Sequence, residues 1–276
     1  MARPIARKGI VQYAASFRLF GINLFWLGIL YKVGHEGRLR EAAISAWYML
    51  QSRFSPVEAP AAHTGIEAHT EILYSFDLAS APGFKARAQS VCSNGKVTVA
   101  GEYAWPGARI LVRHQDHDEV HDPYADDGGI YHIHAVTHLE KNEFAVTTGD
   151  TKKVLDLLFL EDAGRIVRRR KISNCAGYTA MIFLDGNLWG GSDFSERANF
   201  LVNISDSQKY FLPRTCLREY FIDIKPIPAS RLLVITRRLG TDGGHALIFG
   251  VKDRQFVAAN AIRIADREIP WEARAM

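Results

Sequence analysis

The chain has 276 residues, 47% of them hydrophobic and 23% charged, a balance that excludes wholesale disorder, collagen and coiled coil. Three cysteines, Cys92, Cys175 and Cys216, are too few and odd in number for a disulfide framework, so a reducing, cytoplasmic setting is expected. Of the formal net charge of +4, residues 1–55 carry +6 and the remainder −2. Basicity confined to one arm argues against nucleic acid as a partner.

Within that arm, residues 17–33 read FRLFGINLFWLGILYKV. Arg18 and Asn23 interrupt the apolar run and Gly21 and Gly28 weaken a helix, which makes a poor transmembrane span. No small-x-small cleavage site follows it, so a secretory signal is not expected. Residues 37–54 place Leu39, Ala43, Ala46 and Leu50 at helical spacing, predicting an amphipathic helix. Residues 1–55 therefore read as a basic, apolar helical arm. It either packs on the body or a partner protein, or lies on an anionic membrane surface, peripheral at the inner membrane. Residues 56–65, with Pro56 and Pro60, read as a linker.

From residue 66 to 276 helical periodicity gives way to short runs of β-branched and aromatic residues between turn signals, which predicts an all-β body. Strands are expected at 69–76, 84–91, 96–103 and 109–114, then, after the acidic loop DPYADDGG, at 130–137, 143–148, 154–160 and 165–172. Others follow at 178–184, 187–190, 200–204, 209–212, 219–224, 232–237, 246–250 and 255–259. Asn94-Gly95, Asp185-Gly186 and Asp242-Gly243 supply hairpin turns. Four-strand units recurring at roughly 40 to 45 residues match a β-propeller, with a sandwich or jelly roll as the runner-up. A short strand at 261–264 could close a blade begun near the linker, so five blades are favoured within a range of four to six.

Six of the ten histidines lie between 114 and 138. His132, His134 and His138 share one strand parity, and side chains two apart on a strand lie about 6.6 Å apart, close enough for His132 and His134 to bind one substrate group or a divalent metal. The competing reading is a solvated face or hydrogen-bonded core histidines. His134 is expected to be half-exposed. Thr148 and Asp150 end the strand EFAVTTGD, where a carboxylate behind a glycine suits a propeller rim, unless it only caps its own turn. Trp189 and Asp193 in NLWGGSDF offer an aromatic face beside a carboxylate, as sugar binding requires, or else a core tryptophan with a tight turn. Tyr178 heads its strand as an acid or a packing residue. Arg113 is a candidate for an acidic sugar. The run Arg168, Arg169, Arg170 cannot face one pocket from one strand and reads as an exposed edge.

The succession H-I-H (132–134), T-T-G-D (147–150), D-A-G (162–164) and W-G-G-S-D (189–193) resembles sialidase-like β-propeller proteins of bacterial polysaccharide gene clusters. Their pattern is H-x-H, T-G-D, an Asp-box of the form S-x-D-x-G-x-x-W, and W-G-x-D. The likeness covers residues 130–195. It departs at Leu160, which stands at the Asp-box serine, and no tryptophan follows Gly164. It implies a carbohydrate-active propeller on envelope or capsular polysaccharide, acidic or neutral. In a glycoside hydrolase, Asp150 and Asp193 would be the carboxylates, with Tyr178 as an alternative nucleophile. In a polysaccharide lyase, His132 or His134 would abstract the proton beside a uronate while Arg113 or a metal offsets its charge. The competing class is a non-catalytic scaffold or glycan-binding propeller of a membrane-associated assembly complex.

Overall fold

The computed structural model describes residues 18–19, 22–23, 68–103, 108–114, 117–127, 130–149, 152–161, 164–174, 177–194 and 198–272. The chain divides into two units, Met1–Pro56 and Val57–Met276. In the first unit, β1 (Arg18–Leu19) pairs antiparallel with β2 (Ile22–Asn23). The helix expected over 17–33 is thus replaced at 18–19 and 22–23 by a short extended ladder. Two residues separate its strands, the loop length of a tight hairpin, and the β-branched and aromatic neighbours favour extended backbone over helix. The helix expected over 37–54 and the linker at 56–65 lie outside the described residues. Among the described residues no helix is long and apolar enough to cross a membrane.

The second unit is all-β. Its first blade is β5 (Val91–Ser93), β6 (Val97–Gly101), β7 (Ile110–His114) and β8 (His117–His121). The second is β9 (Ile133–His138), β10 (Glu143–Thr148), β11 (Val154–Leu160) and β12 (Ile166–Asn174), and the third is β13 (Ala180–Leu184), β14 (Asn187–Gly191), β15 (Phe200–Asn203) and β16 (Gln208–Phe211). The fourth sheet runs β17 (Tyr220–Ile227), β18 (Arg231–Arg237), β19 (Gly243–Gly250), β20 (Gln255–Pro270), β3 (Ala68–Ser75) and β4 (Lys85–Arg87).

Burial follows position in the blade. The middle strands β10 and β11 are buried on both faces because neighbouring blades cover them, so they read as near-continuous apolar runs, whereas the outer strands β8 and β16 are polar and partly exposed. Four apolar seams follow one another in a closed order. Val99 and Ile110 meet Phe144 and Leu158, Leu155 meets Leu188 and Phe200, Leu201 meets Phe221 and Leu247, and Tyr74 and Phe76 meet Ala100 and Leu111. A sandwich has one such interface, so this cyclic succession makes a four-bladed β-propeller. Each fully buried ring such as Phe144, Phe221 or Phe249 contributes about 1.5–3 kcal/mol. The inner strand β9 lies between β5 and β13, and β13 against β17.

Among the described residues four blades are formed, not the favoured five. The strands set aside for a fifth belong to the fourth sheet, because β20 is one strand of 16 residues that pairs antiparallel with β19 and then parallel with β3 from Arg263↔Ala68 onward. The grouping of the first four expected strands also shifts. Residues 84–91 are broken by a 3-10 turn at Ala88–Ser90, and β8 supplies the outer strand of the first blade. At Asp185-Gly186 both residues have positive φ (50° and 73°), as a type I′ hairpin needs. In the β18–β19 turn the left-handed residue is Gly240 (φ 75°) rather than Gly243.

Candidate functional site

The polar centre of the ring is built where β9 begins. The β9–β10 ladder runs regularly to Thr147↔Ala135 and then jumps to Thr148↔Ile133, a bulge that leaves His134 without a cross-strand partner. A bulge re-aims the side chain it carries. The amide of Gly149 donates to the His132 carbonyl (3.2 Å) and that of Ile133 to the Glu102 carbonyl (2.8 Å), fixing the backbone on both sides. Gly149 is required here, since a Cβ at that position would overlap the His134 imidazole.

His132 Nε2 and His134 Nε2 share a hydrogen bond of 2.8 Å. Two imidazoles on one tetrahedral zinc, each at about 2.0–2.1 Å, would hold their nitrogens about 3.3 Å apart, so this pair is set as donor and acceptor. Among the described residues no group of three His, Cys, Asp or Glu side chains could hold a metal ion. The Tyr103 ring lies 4.6 Å from that of His132 and 6.2 Å from that of His134, with the Arg87 guanidinium 4.9 Å over its face. On the other side, Asp193 Oδ2 stands 3.9 Å from His134 Nδ1, and Lys153 donates to the Asp193 carbonyl at 2.7 Å.

His134 is 2% exposed, not half-exposed as expected, and its Nδ1 is buried without a hydrogen bond. Burial, then the neighbouring His132, Arg87 and Lys153, hold it well below the usual imidazole range, with a weaker opposing pull from the Gly177 backbone. It is therefore neutral near pH 7. A neutral imidazole, hydrogen-bonded to a second, partly buried one and facing a carboxylate, can orient that second ring and pass a proton through it.

Of the residues singled out in the sequence, His132, His134 and Asp193 come together. Asp150 lies outside the described residues. Thr148 is fully buried and spends its hydroxyl on the loop that follows, donating to the Lys152 carbonyl (3.0 Å) and accepting from the Val154 amide (3.1 Å). Tyr178 packs in an apolar cluster with Leu155 and Phe200, its ring pressed on Gly190, whose added Cβ would sit 2.8 Å away. Trp189 is a core residue, 3% exposed, against Tyr210 and Phe249, because strand parity turns it into the seam between the third and fourth blades. Arg113, expected to meet an acidic sugar, forms a two-pronged pair with Asp118 across the β7–β8 hairpin (2.6 and 2.7 Å). His138 shares no site with the other two. It closes the β9–β10 turn through the Lys141 carbonyl (2.9 Å), since four residues of strand carry it about 13 Å away.

Sequence reasoning missed Arg87, Glu102, Tyr103 and Lys153. Glu102 and Tyr103 directly follow β6, the same position after a strand that drew attention to Asp150. The buried Glu102 holds Arg109 through both oxygens and offers its carbonyl to Ile133. Also missed was a ring-closing cluster in which Glu71 pairs with Arg87 and, at 2.9 Å, with Arg237, which in turn pairs with Asp266. A further buried carboxylate, Glu219, accepts from the Thr236 hydroxyl (2.7 Å) and contacts His245 Nδ1 (2.9 Å).

The acidic loop is tied down by the arginine run. Arg169 turns inward to Asp127 and to the Pro123 carbonyl (each 2.5 Å) and stands 3.4 Å from the fully buried Asp156. Hydrogen bonds from Arg169 and Lys152 lower the Asp127 carboxyl below its ordinary value, whereas burial raises that of Asp156.

No family model matches the chain, and no curated protein matches it. Among solved structures it is similar to the Dos1 propeller (15% identity, TM-score 0.45, 74% of this chain and 54% of that one). It is similar also to an auxiliary nutrient binding protein from Bacteroides thetaiotaomicron (10%, TM-score 0.45, 63% and 41%). A third likeness is to a GH43 glycoside hydrolase with an engineered active site that displays both endo-xylanase and exo-arabinofuranosidase activity (13%, TM-score 0.41, 63% and 40%). The chain thus spans about half the length of these structures or less, and the propeller assignment rests on its own strand pairing.

Proposed function

We propose that the chain is a carbohydrate-active propeller that takes a uronate-bearing polysaccharide at the end of the ring where β9 begins and cleaves it by elimination. The observation that carries this reading is the buried, neutral His134 hydrogen-bonded at 2.8 Å to the more exposed His132, between Tyr103 and Asp193. His132 is the catalytic base. It takes the proton from the carbon beside the uronate carboxylate, the electron pair forms a carbon–carbon double bond, and the glycosidic oxygen leaves with a proton supplied by the Tyr103 hydroxyl. His134 and Asp193 are positioning residues that fix the tautomer of His132. Arg87 and Lys153 offset the carboxylate charge that grows in the transition state. The resemblance of the motif order in residues 130–195 to sialidase-like propellers of polysaccharide gene clusters supports the substrate class, and the net charge of +6 on residues 1–55 supports a peripheral seat on an anionic inner-membrane surface.

Incubation with polygalacturonate and alginate tests the reading. Ultraviolet absorbance from the new double bond is expected, and His132→Ala should abolish it while leaving the melt unchanged. New reducing ends without that absorbance would turn the assignment to hydrolysis, with Asp193 as a carboxylate. Binding of either polymer without cleavage would favour a non-catalytic glycan-binding propeller. One observation points that way, since Glu71 already occupies the space between Arg87 and Arg237.

A further inference from the structure

The outer strands of the first and third blades are short, five residues in β8 and four in β16, as unpaired edges usually are. The second blade breaks that habit. Its outer strand β12 has nine residues and stands last in the order β9, β10, β11, β12. Arg168, Arg170 and Lys171 are exposed on it, while Arg169 turns inward and pins the strand to Asp127. Arg168 sits over the Phe159 ring, its guanidinium carbon 3.8 Å from the centroid, which presents a cation over an aromatic face. The ladder to β11 shifts register at Val167 and at Ile172, so two bulges bracket the basic run and turn both apolar side chains outward, 54% and 43% exposed.

Those bulges decide what can bind. Strand addition needs a continuous row of backbone donors and acceptors, and only 168–171 remain regular between the shifts. A second copy pairing antiparallel through β12 would set arginine against arginine, and residues 1–55, at +6, carry the same sign. The cations are what the edge offers. We propose that β12 is a second, non-catalytic subsite that holds an acidic polysaccharide along its exposed edge, through Arg168 and Arg170 on one face of the strand and Lys171 on the other. The ligand class rests on the acidic-glycan reading of the His132 site. Three strand spacings across the blade, and two to five residues along it by the ladder registers, put the basic run about 20 Å from the start of β9, so one chain of several sugars can engage both places, and the second contact becomes intramolecular.

Fluorescence titration with labelled polygalacturonate fragments, one series of two sugars and one of about fifteen, tests this at low salt. The triple variant Arg168→Glu, Arg170→Glu, Lys171→Glu should weaken the long fragments at least about tenfold, by loss of avidity and reversal of charge, and leave the two-sugar fragments unchanged. His132→Ala should keep long-fragment binding that is still sensitive to Arg168→Gln. Long fragments bound equally by wild type and triple variant would overturn the subsite. So would tighter binding of a single-stranded oligonucleotide of equal charge. Should the triple variant lose its cooperative melt, Arg168→Gln with Arg170→Gln removes the cations without adding charge, and unchanged long-fragment affinity there would equally overturn it. With the comparison repeated on the His132→Ala background, where no fragment is cleaved, an inactive His132 site and an absent β12 subsite give different results.

Discussion

Two of the polar clusters among the described residues meet at Arg87, which pairs with Glu71 on one side and lies over Tyr103 on the other, and they are built on opposite principles. At the ring-closing seam every buried charge has an opposite neighbour, with Glu71 between Arg87 and Arg237 and Arg237 on Asp266. At the start of β9 the balance is left incomplete. His134 is buried and held well below the usual imidazole range, Asp193 stands 3.9 Å off its Nδ1, and a bulge and Gly149 are needed to seat the ring. Matched charges hold strands together. A buried imidazole kept neutral beside a second, more exposed one is poised to move a proton, which is why the second cluster and not the first reads as the reactive one.

The comparison breaks most easily at the seam. Glu71→Ala leaves Arg87, 7% exposed, without its carboxylate, and should cost about 3–5 kcal/mol, read as a lower urea midpoint at unchanged slope; a loss under about 1 kcal/mol would mean the seam does not hold the ring. Gly149→Ala should cost about 1–3 kcal/mol by overpacking against His134, and should also separate His134 from His132. The imidazole proton resonances of both rings then shift together, and a variant with unmoved resonances would show that the bulge is not shaped around this pair.

The pH dependence sharpens the contrast further. Because His134 is held well below the usual imidazole range in the folded chain, its contribution is full above about pH 6.5, the value of an unfolded histidine. As pH falls through that value the unfolded chain takes up a proton that the folded chain refuses, so stability declines, by at most about 1.4 kcal/mol per pH unit, until the depressed folded value is reached. His134→Gln should flatten this decline relative to wild type in denaturation at stepped pH, and equal slopes would count against the buried neutral ring. The smallest effect belongs to an exposed pair. Arg263→Ala removes a contact to Asp242 in which the side chains are 85% and 63% exposed, and should shift stability by less than about 0.5 kcal/mol.

How much of this was legible differs strand by strand. The bounds of β10 and β11 follow from their apolar runs, because both faces are buried, and the turn at Asp185-Gly186 follows from its residues. The strand β8, HDEVH, was invisible because an outer strand buries little and carries no alternation. The parallel ladder of β20 on β3 has no local signature, since its partners are far apart in sequence. The glycines of WGGSD also misled. They serve packing, Gly190 lying under Tyr178 and Gly191 under Phe221, which is why Trp189 points into a seam rather than toward a sugar. The histidine pair was legible as a pair, yet the bulge that buries His134 depends on where Thr148 finds its partner, a matter of register and not of composition.

The junction of β20 with β3 also sets an order of events. Ser75 donates its hydroxyl to the Ile269 carbonyl, a contact between residues 194 positions apart, and eight register pairs lie beside it, from Arg263↔Ala68 to Pro270↔Ser75. Hairpins within the blades can form as each segment appears, but this ladder waits for nearly the whole body. It closes a loop of about 200 residues by its register, the kind of contact that slows folding. Until it forms, the fourth sheet keeps β20 and β3 unpaired along facing edges, so a nascent or heat-loosened ring is most exposed to mispairing at that joint.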